Sequence, residues 1–232
     1  MDSPKDAIAS LAPDSLLRAL EPAQLEALLD RASPRSLEAG DTIIEQGDED
    51  GDFAVFVLSG GLKVSFVSAG GREIILSYCR PGELVGEIAL LDSGPRTATV
   101  TAAVTSSVLL LPSRSFLETL MANPDSMVRV MRELAQRVRQ QNLVIESDRT
   151  FSAGPRLALA LVRLIDREEG EGRLLYSPSQ SDLGAFAGLS RESVSRLLSE
   201  WENRGIVSRE GRELRICDGE YLKLMAEFGE EA

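Results

Sequence analysis

A glutamate and an arginine nine residues apart are the side chains of this sequence that most directly indicate chemistry. Gly86 and Glu87 are followed by a short apolar run and then by Arg96 and Thr97. Arginine is a permanently charged, forked donor suited to phosphate, glutamate accepts hydrogen bonds from sugar hydroxyls, and a helical turn starting at Gly86 would offer free N–H groups to an anion. These residues predict a nucleotide-binding pocket. The alternative is a local ion pair between Glu87 and Arg96.

The composition excludes several other kinds of site. The 232 residues include no histidine, so there is no Ser-His or Cys-His nucleophile and no histidine-ligated zinc. The two cysteines, Cys79 and Cys217, are too few for a disulfide scaffold, a four-cysteine zinc site or an iron–sulfur cluster. We therefore expect no metal cofactor and no enzymatic activity.

Charge and hydrophobicity bear on location and partners. No signal peptide and no apolar run of about 18 residues is present, so we expect a cytoplasmic protein. The formal charge of −12 argues against a polyanionic partner, because nucleic-acid binding depends on neutralising phosphates. Residues 177–216, however, contain six arginines and six acidic residues, so this stretch is neutral within an acidic chain.

The pattern of apolar residues changes twice along the chain. Residues 14–32 read as short helices broken at Pro22, and residues 36–112 consist of short β-branched segments separated by turn residues. From Pro124 no glycine or proline appears until Gly154, which leaves room for one helix of about 25 residues. The predicted fold class is α+β, with an N-terminal antiparallel β-roll, a long helix and a C-terminal winged helix-turn-helix. We predict three segments, 1–123, 124–150 and 151–232.

The long helix carries a heptad seam. Its members are spaced by steps of four and three residues: Met127, Met131, Leu134, Val138, Gln141 and Ile145. Such a seam on an otherwise charged helix usually faces an identical helix, so we expect a homodimer in which the polar Gln141 fixes the register. The alternative is that the seam packs on the chain's own β-roll.

Residues 177–202 have the pattern of a helix-turn-helix. A short helix around Asp182 is followed by a Gly-Leu-Ser turn and by a second helix from Arg191 to Glu202, with Ser190 as its N-cap. The second helix buries one apolar face and presents polar side chains near its start, where a recognition helix meets base edges: Arg191, Glu192, Ser195 and Arg196. The alternative is a solvated charged face on which Glu192 pairs with Arg196.

The residues around Glu87 and Arg96 resemble the phosphate-binding cassette of cyclic-nucleotide-binding domains. That cassette has a Gly-Glu-(Leu/Ile)-Ala-Leu run followed by Pro-Arg-(Ala/Thr/Ser)-Ala, and Val85 departs from it where many members carry an aromatic residue. The resemblance implies that Glu87 holds the ribose 2′-hydroxyl, that Arg96 holds the cyclic phosphate and that Thr97 contacts phosphate or base. It further implies contacts from the backbone of the cassette, from two apolar side chains and from two amides on the long helix: Gly86, Ile88, Ala89, Val64, Leu76, Gln141 and Asn142. We favour cAMP, with cGMP as the alternative, because an amide serves adenine or guanine.

The segment Ser-Arg-Glu-Ser-Val-Ser-Arg is similar to the recognition helix of the catabolite activator branch of the CRP/FNR regulators, which is associated with TGTGA-type half-sites. The Arg-Glu-x-x-x-Arg pattern falls on Arg191, Glu192 and Arg196. The resemblance places phosphate contacts just before the first helix and arginines on the wing: Ser179, Gln180, Ser181, Arg209 and Arg212.

Related sensors in this family need ligands that the sequence lacks. Oxygen sensors of the FNR type use N-terminal cysteines, of which there are none before Cys79, and the haem-based sensors use a histidine. The resemblance thus implies a cytoplasmic homodimeric regulator that takes a cyclic nucleotide as allosteric effector, binds double-stranded DNA and contacts RNA polymerase, for which loop 166–172 is a candidate. The alternatives are a regulator that needs no nucleotide or answers another effector.

Overall fold

The computed structural model describes residues 11–12, 15–165, 174, 176–211 and 213–229. Loop 166–172 and Arg212 lie outside these described residues. The chain divides into two compact units: one contains the chain up to Val67 and from Leu76 to Val138, and the other contains Ser68–Ile75 and the chain from Arg139 onward. No helix within the described ranges is long and apolar enough to cross a membrane.

Eight strands build the antiparallel β-roll. Among the described residues they form two four-stranded sheets, with the orders β1-β8-β3-β6 and β2-β7-β4-β5. The strands are β1 Ser33–Leu37, β2 Thr42–Ile44, β3 Phe53–Ser59, β4 Leu62–Val67, β5 Glu73–Cys79, β6 Leu84–Val85, β7 Thr99–Ala102 and β8 Ser106–Pro112. Phe56 pairs with Leu109 between β3 and β8, and Val64 pairs with Val100 between β4 and β7. The predicted β-roll is confirmed.

Strand β3 is covered on both faces, which explains its continuous apolar sequence. Because side chains alternate along a strand, Val55 and Val57 join one buried cluster with side chains of β2, β4 and β7. Ala54 and Phe56 join a second cluster with helical side chains. The helices that contribute to this second cluster are a 3-10 turn at Leu16–Ala19, α1 Pro22–Leu29, α2 Glu87–Asp92, α3 Ser113–Met121 and the first part of α4.

Helix α4 spans Pro124–Thr150, 27 residues, as predicted for the long helix. Val130 is buried and Leu134 half-buried, and both pack on the helical cluster of their own chain. The other apolar seam residues are 40 to 60% exposed within the single chain: Met127, Met131, Val138 and Ile145. Leu134 thus packs on its own chain, as the alternative reading of the seam expected, and the other four apolar side chains are exposed in the single chain. The homodimer stays a prediction.

The C-terminal unit contains the predicted winged helix-turn-helix. Its elements are α5 Ala153–Leu164, α6 Gln180–Ala187, α7 Arg191–Asn203, β9 Val207–Glu210, β10 Glu213–Ile216 and α8 Gly219–Phe228. The Ser190 hydroxyl accepts a hydrogen bond from the Ser193 amide, so Ser190 is the N-cap of α7 as predicted. Helix α8 was not predicted. Its N-cap is Asp218, whose carboxylate accepts from the Tyr221 amide at 2.9 Å, and the helix buries Leu222 and Met225.

Two valines of the β-roll test its buried cluster. Val57 is fully buried in it, whereas Val67, at the end of β4, is 53% exposed. We expect Val57→Ala to lower the free energy of unfolding by about 2 kcal/mol, because two methyl groups leave a cavity, and Val67→Ala to change it by less than about 0.5 kcal/mol. Urea unfolding followed by far-UV circular dichroism measures both, and equal losses would contradict this assignment of the core.

Candidate functional site

A glycine at positive φ starts the short helix of the cassette. Strand β6 ends at Val85, Gly86 has φ 86°, and α2 begins at Glu87, so the predicted helical turn is confirmed. A Cβ at Gly86 would lie 2.7 Å from Ile44 Cδ1 and 3.0 Å from Arg96 Nη1. The backbone conformation and the close approach of Arg96 both require glycine here.

The Arg96 guanidinium is buried and held by three main-chain carbonyls. The side chain is 4% exposed; Nε donates to Asp50 O at 3.2 Å, Nη1 to Gly86 O at 2.9 Å and Nη2 to Phe53 O at 2.7 Å. The guanidinium also lies over the Phe53 ring, 5.0 Å from its centroid. Since a guanidinium carries five N–H bonds, two of them remain for another acceptor, and the other three fix its orientation.

Acidic side chains surround this cation. Burial lowers the pKa of Arg96, and the carboxylates of Asp48, Asp52 and Asp50 oppose that shift. The main chain also holds Arg96 against the same loop, because its amide donates to Asp48 O at 2.8 Å and its carbonyl accepts from the Gly47 amide at 2.9 Å. The guanidinium remains charged, and the neighbouring carboxylates reduce the positive field that an anion would meet.

Glu87 is also buried, at 4% exposure, and its carboxylate is paired with the long helix. Arg137 Nη1 of α4 donates to Glu87 Oε1 at 2.6 Å. The ion pair of Glu87 is therefore with Arg137 and not with Arg96, which excludes the local ion pair considered from the sequence. Arg137 was not among the residues predicted from the sequence. The only signal for it was its position four residues before Gln141, on the same face of the helix.

The remaining predicted nucleotide residues fall into three groups. Val64 is buried in the cluster against which Leu76 packs, and Val85 and Ala98, at the two ends of the cassette, belong to the same cluster. Ala89 is buried, whereas Ile88 and Thr97 are exposed. Two further residues, Gln141 and Asn142, are exposed on α4 and belong to the other unit.

The outer face of α7 carries charged side chains that have no partners among the described residues. Arg191, Glu192 and Arg196 are exposed, and within the described residues none of them forms a side-chain hydrogen bond or ion pair, so the Glu192–Arg196 pair considered from the sequence is not formed. Ser195 is half-buried. The opposite face is fixed by four buried side chains: Val194, Leu197, Leu198 and Trp201. This leaves the three charged side chains free to meet base edges.

Ser179, Gln180 and Ser181 lie at the start of α6. Ser179 is its N-cap: the hydroxyl accepts from the Asp182 amide at 3.1 Å and donates to Asp182 Oδ2 at 2.7 Å. Gln180 is half-buried and Ser181 is exposed in the first turn. The serine oxygen is thus already bonded within the chain, while the amides of a helix N-terminus suit a phosphate.

Arg209 of β9 pairs with the recognition helix. Its Nε donates to Glu202 Oε2 at 3.0 Å, and Nη2 bonds the same oxygen. This bond raises the pKa of Arg209 and lowers the pKa of Glu202. Arg209, which was predicted on the wing, therefore links strand β9 to the C-terminal end of α7. No cluster of three metal-ligating side chains occurs in the part of the chain that is described.

Two family models match the chain. The cyclic nucleotide-binding domain matches residues 34–123, and the Crp-like helix-turn-helix domain matches residues 155–225. The first match contains the cassette, and the second runs from the first turn of α5 into α8.

Two named relatives are similar to this chain in sequence, and one solved structure is similar to it in fold. The CRP-like cAMP-activated global transcriptional regulator of Mycobacterium tuberculosis is 30% identical over 218 residues, which cover 91% of this chain and 96% of the relative. The transcriptional activator protein anr of Pseudomonas aeruginosa is 31% identical over 199 residues, covering 83% and 80%. FixK2 from Bradyrhizobium japonicum has the same fold, with a TM-score of 0.74, 22% identity and coverage of 83% and 96%.

The Glu87–Arg137 ion pair gives a stability prediction. We expect Arg137→Met to lower the free energy of unfolding by about 2 kcal/mol, because it leaves a buried carboxylate without its cation; the cost is below that of a fully buried pair since Arg137 is 35% exposed. Adding Glu87→Gln should recover part of the loss. Arg132→Met, at an exposed position of the same helix, is the control. Equal urea unfolding curves for the Arg137 and Arg132 variants would contradict the role of the pair.

Proposed function

This chain belongs to the CRP/FNR family of transcription regulators and carries a cyclic-nucleotide-binding domain and a Crp-like helix-turn-helix. From this premise we propose that it is a homodimer that binds TGTGA-type half-sites under the control of a cyclic nucleotide, with cAMP favoured over cGMP. The observation that carries the proposal is that one cassette contains two buried side chains of opposite charge, Glu87 and Arg96.

Different residues of the cassette are assigned to different parts of the nucleotide. The two uncommitted N–H bonds of Arg96 take the cyclic phosphate, and Glu87 accepts from the ribose 2′-hydroxyl while Arg137 holds its other side. Thr97, exposed beside Arg96, adds a hydroxyl toward phosphate or base. Because Arg96 and Glu87 are already bonded in position, nucleotide binding requires little reordering of either side chain.

The base is assigned to Gln141 and Asn142 of α4. An amide both donates and accepts, so these side chains alone do not separate adenine from guanine. The preference for cAMP is supported by the name of the M. tuberculosis relative, a cAMP-activated regulator.

The second copy of the chain is assigned to the exposed stripe of α4. Met127, Met131, Val138 and Ile145 leave an apolar stripe along a 27-residue helix, and covering it requires a partner with a matching stripe. A two-fold dimer of this kind presents two α7 helices, which can enter major grooves about 34–36 Å apart. RNA polymerase is the further partner that this function requires.

A second candidate is a regulator of the same family that answers another effector or binds DNA without one. Two observations favour it: the carboxylates of Asp48, Asp50 and Asp52 act on Arg96, and one relative is a transcriptional activator named anr rather than a cAMP regulator.

Calorimetry with cAMP and cGMP separates the two candidates. We expect the wild type to bind both nucleotides, with cAMP the tighter, and Arg96→Lys to bind at least about tenfold more weakly, because an ammonium cannot bond the carbonyls and a phosphate in the same geometry. Arg35→Lys, at an exposed position of β1, is the matched control. Circular dichroism confirms that each variant is folded. Absence of binding by the folded wild type would favour the second candidate.

Base reading by α7 is tested with paired duplexes. We expect the wild type to prefer a TGTGA half-site over one with its guanines replaced by about 1–3 kcal/mol, and Arg196→Ala to lose most of that preference. Arg204→Ala removes the same charge beyond the end of α7 and should keep the preference. Fluorescence anisotropy of labelled duplexes gives the ratios. An Arg196→Ala variant that discriminates as well as the wild type would contradict the assignment.

A further inference from the structure

One guanidinium connects the end of the long helix α4 to the turn of the helix-turn-helix. Arg156 of α5 pairs through Nη2 with Asp148 Oδ1 of α4 at 3.1 Å, and the same Nη2 donates to the Gly188 carbonyl at 2.9 Å. The Arg156 side chain is 19% exposed and that of Asp148 is 50% exposed. The carbonyl belongs to the residue that ends α6, two residues before the N-cap of α7.

The turn is built to accept this bond. Gly188 has φ 66°, and a Cβ placed there would overlap Arg156 Nη2 and lie 3.4 Å from Asp148 Oδ1. The left-handed backbone therefore favours glycine, and any other side chain here would displace the Arg156 guanidinium.

A second arginine strengthens the contact between α5 and α6. Arg163 follows Arg156 by seven residues, so both lie on one face of α5. The Arg163 guanidinium stacks over the Phe186 ring of α6 at 4.5 Å. Burial lowers the pKa of Arg163 and the carboxylate of Asp148 opposes that shift, so Asp148 is a counter-charge to both arginines.

We propose that Asp148 and Arg156 are positioning residues that set the orientation of α7 from the end of α4. Asp148 follows Gln141 by seven residues, or two helical turns and about 10 Å. Asp148 pairs with Arg156, and Arg156 donates to the Gly188 carbonyl, so these two contacts link the end of α4 to the start of the recognition helix. The proposal rests on DNA binding by α7.

The test compares Asp148→Asn, Arg156→Gln and the double variant with two neutralising controls. Glu146→Gln and Arg149→Gln remove the same charges from exposed positions near the end of α4. We expect each single test variant to bind a duplex with two inverted TGTGA half-sites about tenfold more weakly, equivalent to about 1.4 kcal/mol. The double variant should lose no more than Arg156→Gln alone, because Asp148 acts through Arg156.

Two further readouts separate positioning from loss of folded protein. A misplaced α7 should lower the preference for the TGTGA duplex over a guanine-substituted duplex, whereas a smaller folded fraction would weaken both equally. Hydrogen exchange should be about tenfold faster in the test variants at the Leu189 amide, which donates to Gly184 O at 2.8 Å.

Several results would overturn the proposal: test variants that match the controls, losses that add in the double variant, or an unchanged duplex preference. If the wild type binds neither duplex, the proposed DNA-binding function fails. In that case the hydrogen exchange of the Leu189 amide still tests whether Arg156 stabilises the turn. Unchanged exchange in the test variants would show that it does not.

Discussion

The burial of two opposite charges in the cassette is the constraint on which the N-terminal unit depends. Glu87 and Arg96 are each 4% exposed, and a buried charge is tolerated only when it is paired or hydrogen-bonded. The Arg96 guanidinium donates to three main-chain carbonyls. One lies in the loop before β3, one in β3 and one at the β6–α2 junction. Arg137 satisfies Glu87, so the carboxylate of the cassette holds a residue of the long helix in place. The same bonds that stabilise the fold orient the groups assigned to the nucleotide.

The exposed arginines of α7 show how a chain with a formal charge of −12 can meet DNA. The recognition helix presents Arg191 and Arg196 without intramolecular partners in the described part of the chain, whereas Arg209 is bound to Glu202. Arg191 and Arg196 are therefore exposed cations that can meet DNA, whereas the excess of acidic residues in the chain repels phosphates. We infer that non-specific affinity for DNA is low and that tight binding depends on base contacts, on a second copy of the chain and on the effector.

Local patterns in the sequence predicted the elements, and contacts between distant residues were missed. Gly86, Gly188 and Ser190 mark their turns and caps because their preferences are local, and the absence of proline and glycine after Pro124 predicted α4. The Glu87–Arg137 bond joins residues fifty positions apart, and its formation depends on how α4 packs on the β-roll. For the same reason the seam pattern could not show that Leu134 turns inward while Met131 and Val138 stay exposed.

In the proposed function, a nucleotide at the cassette controls DNA binding by paired α7 helices. This control is measured as the affinity of the wild-type protein for a duplex with two inverted TGTGA half-sites and for a duplex with one, each with and without saturating cAMP. We expect cAMP to tighten binding to the two-site duplex by about 5- to 150-fold and the one-site duplex to bind much more weakly. Equal affinity with and without cAMP would show that the nucleotide does not control DNA binding.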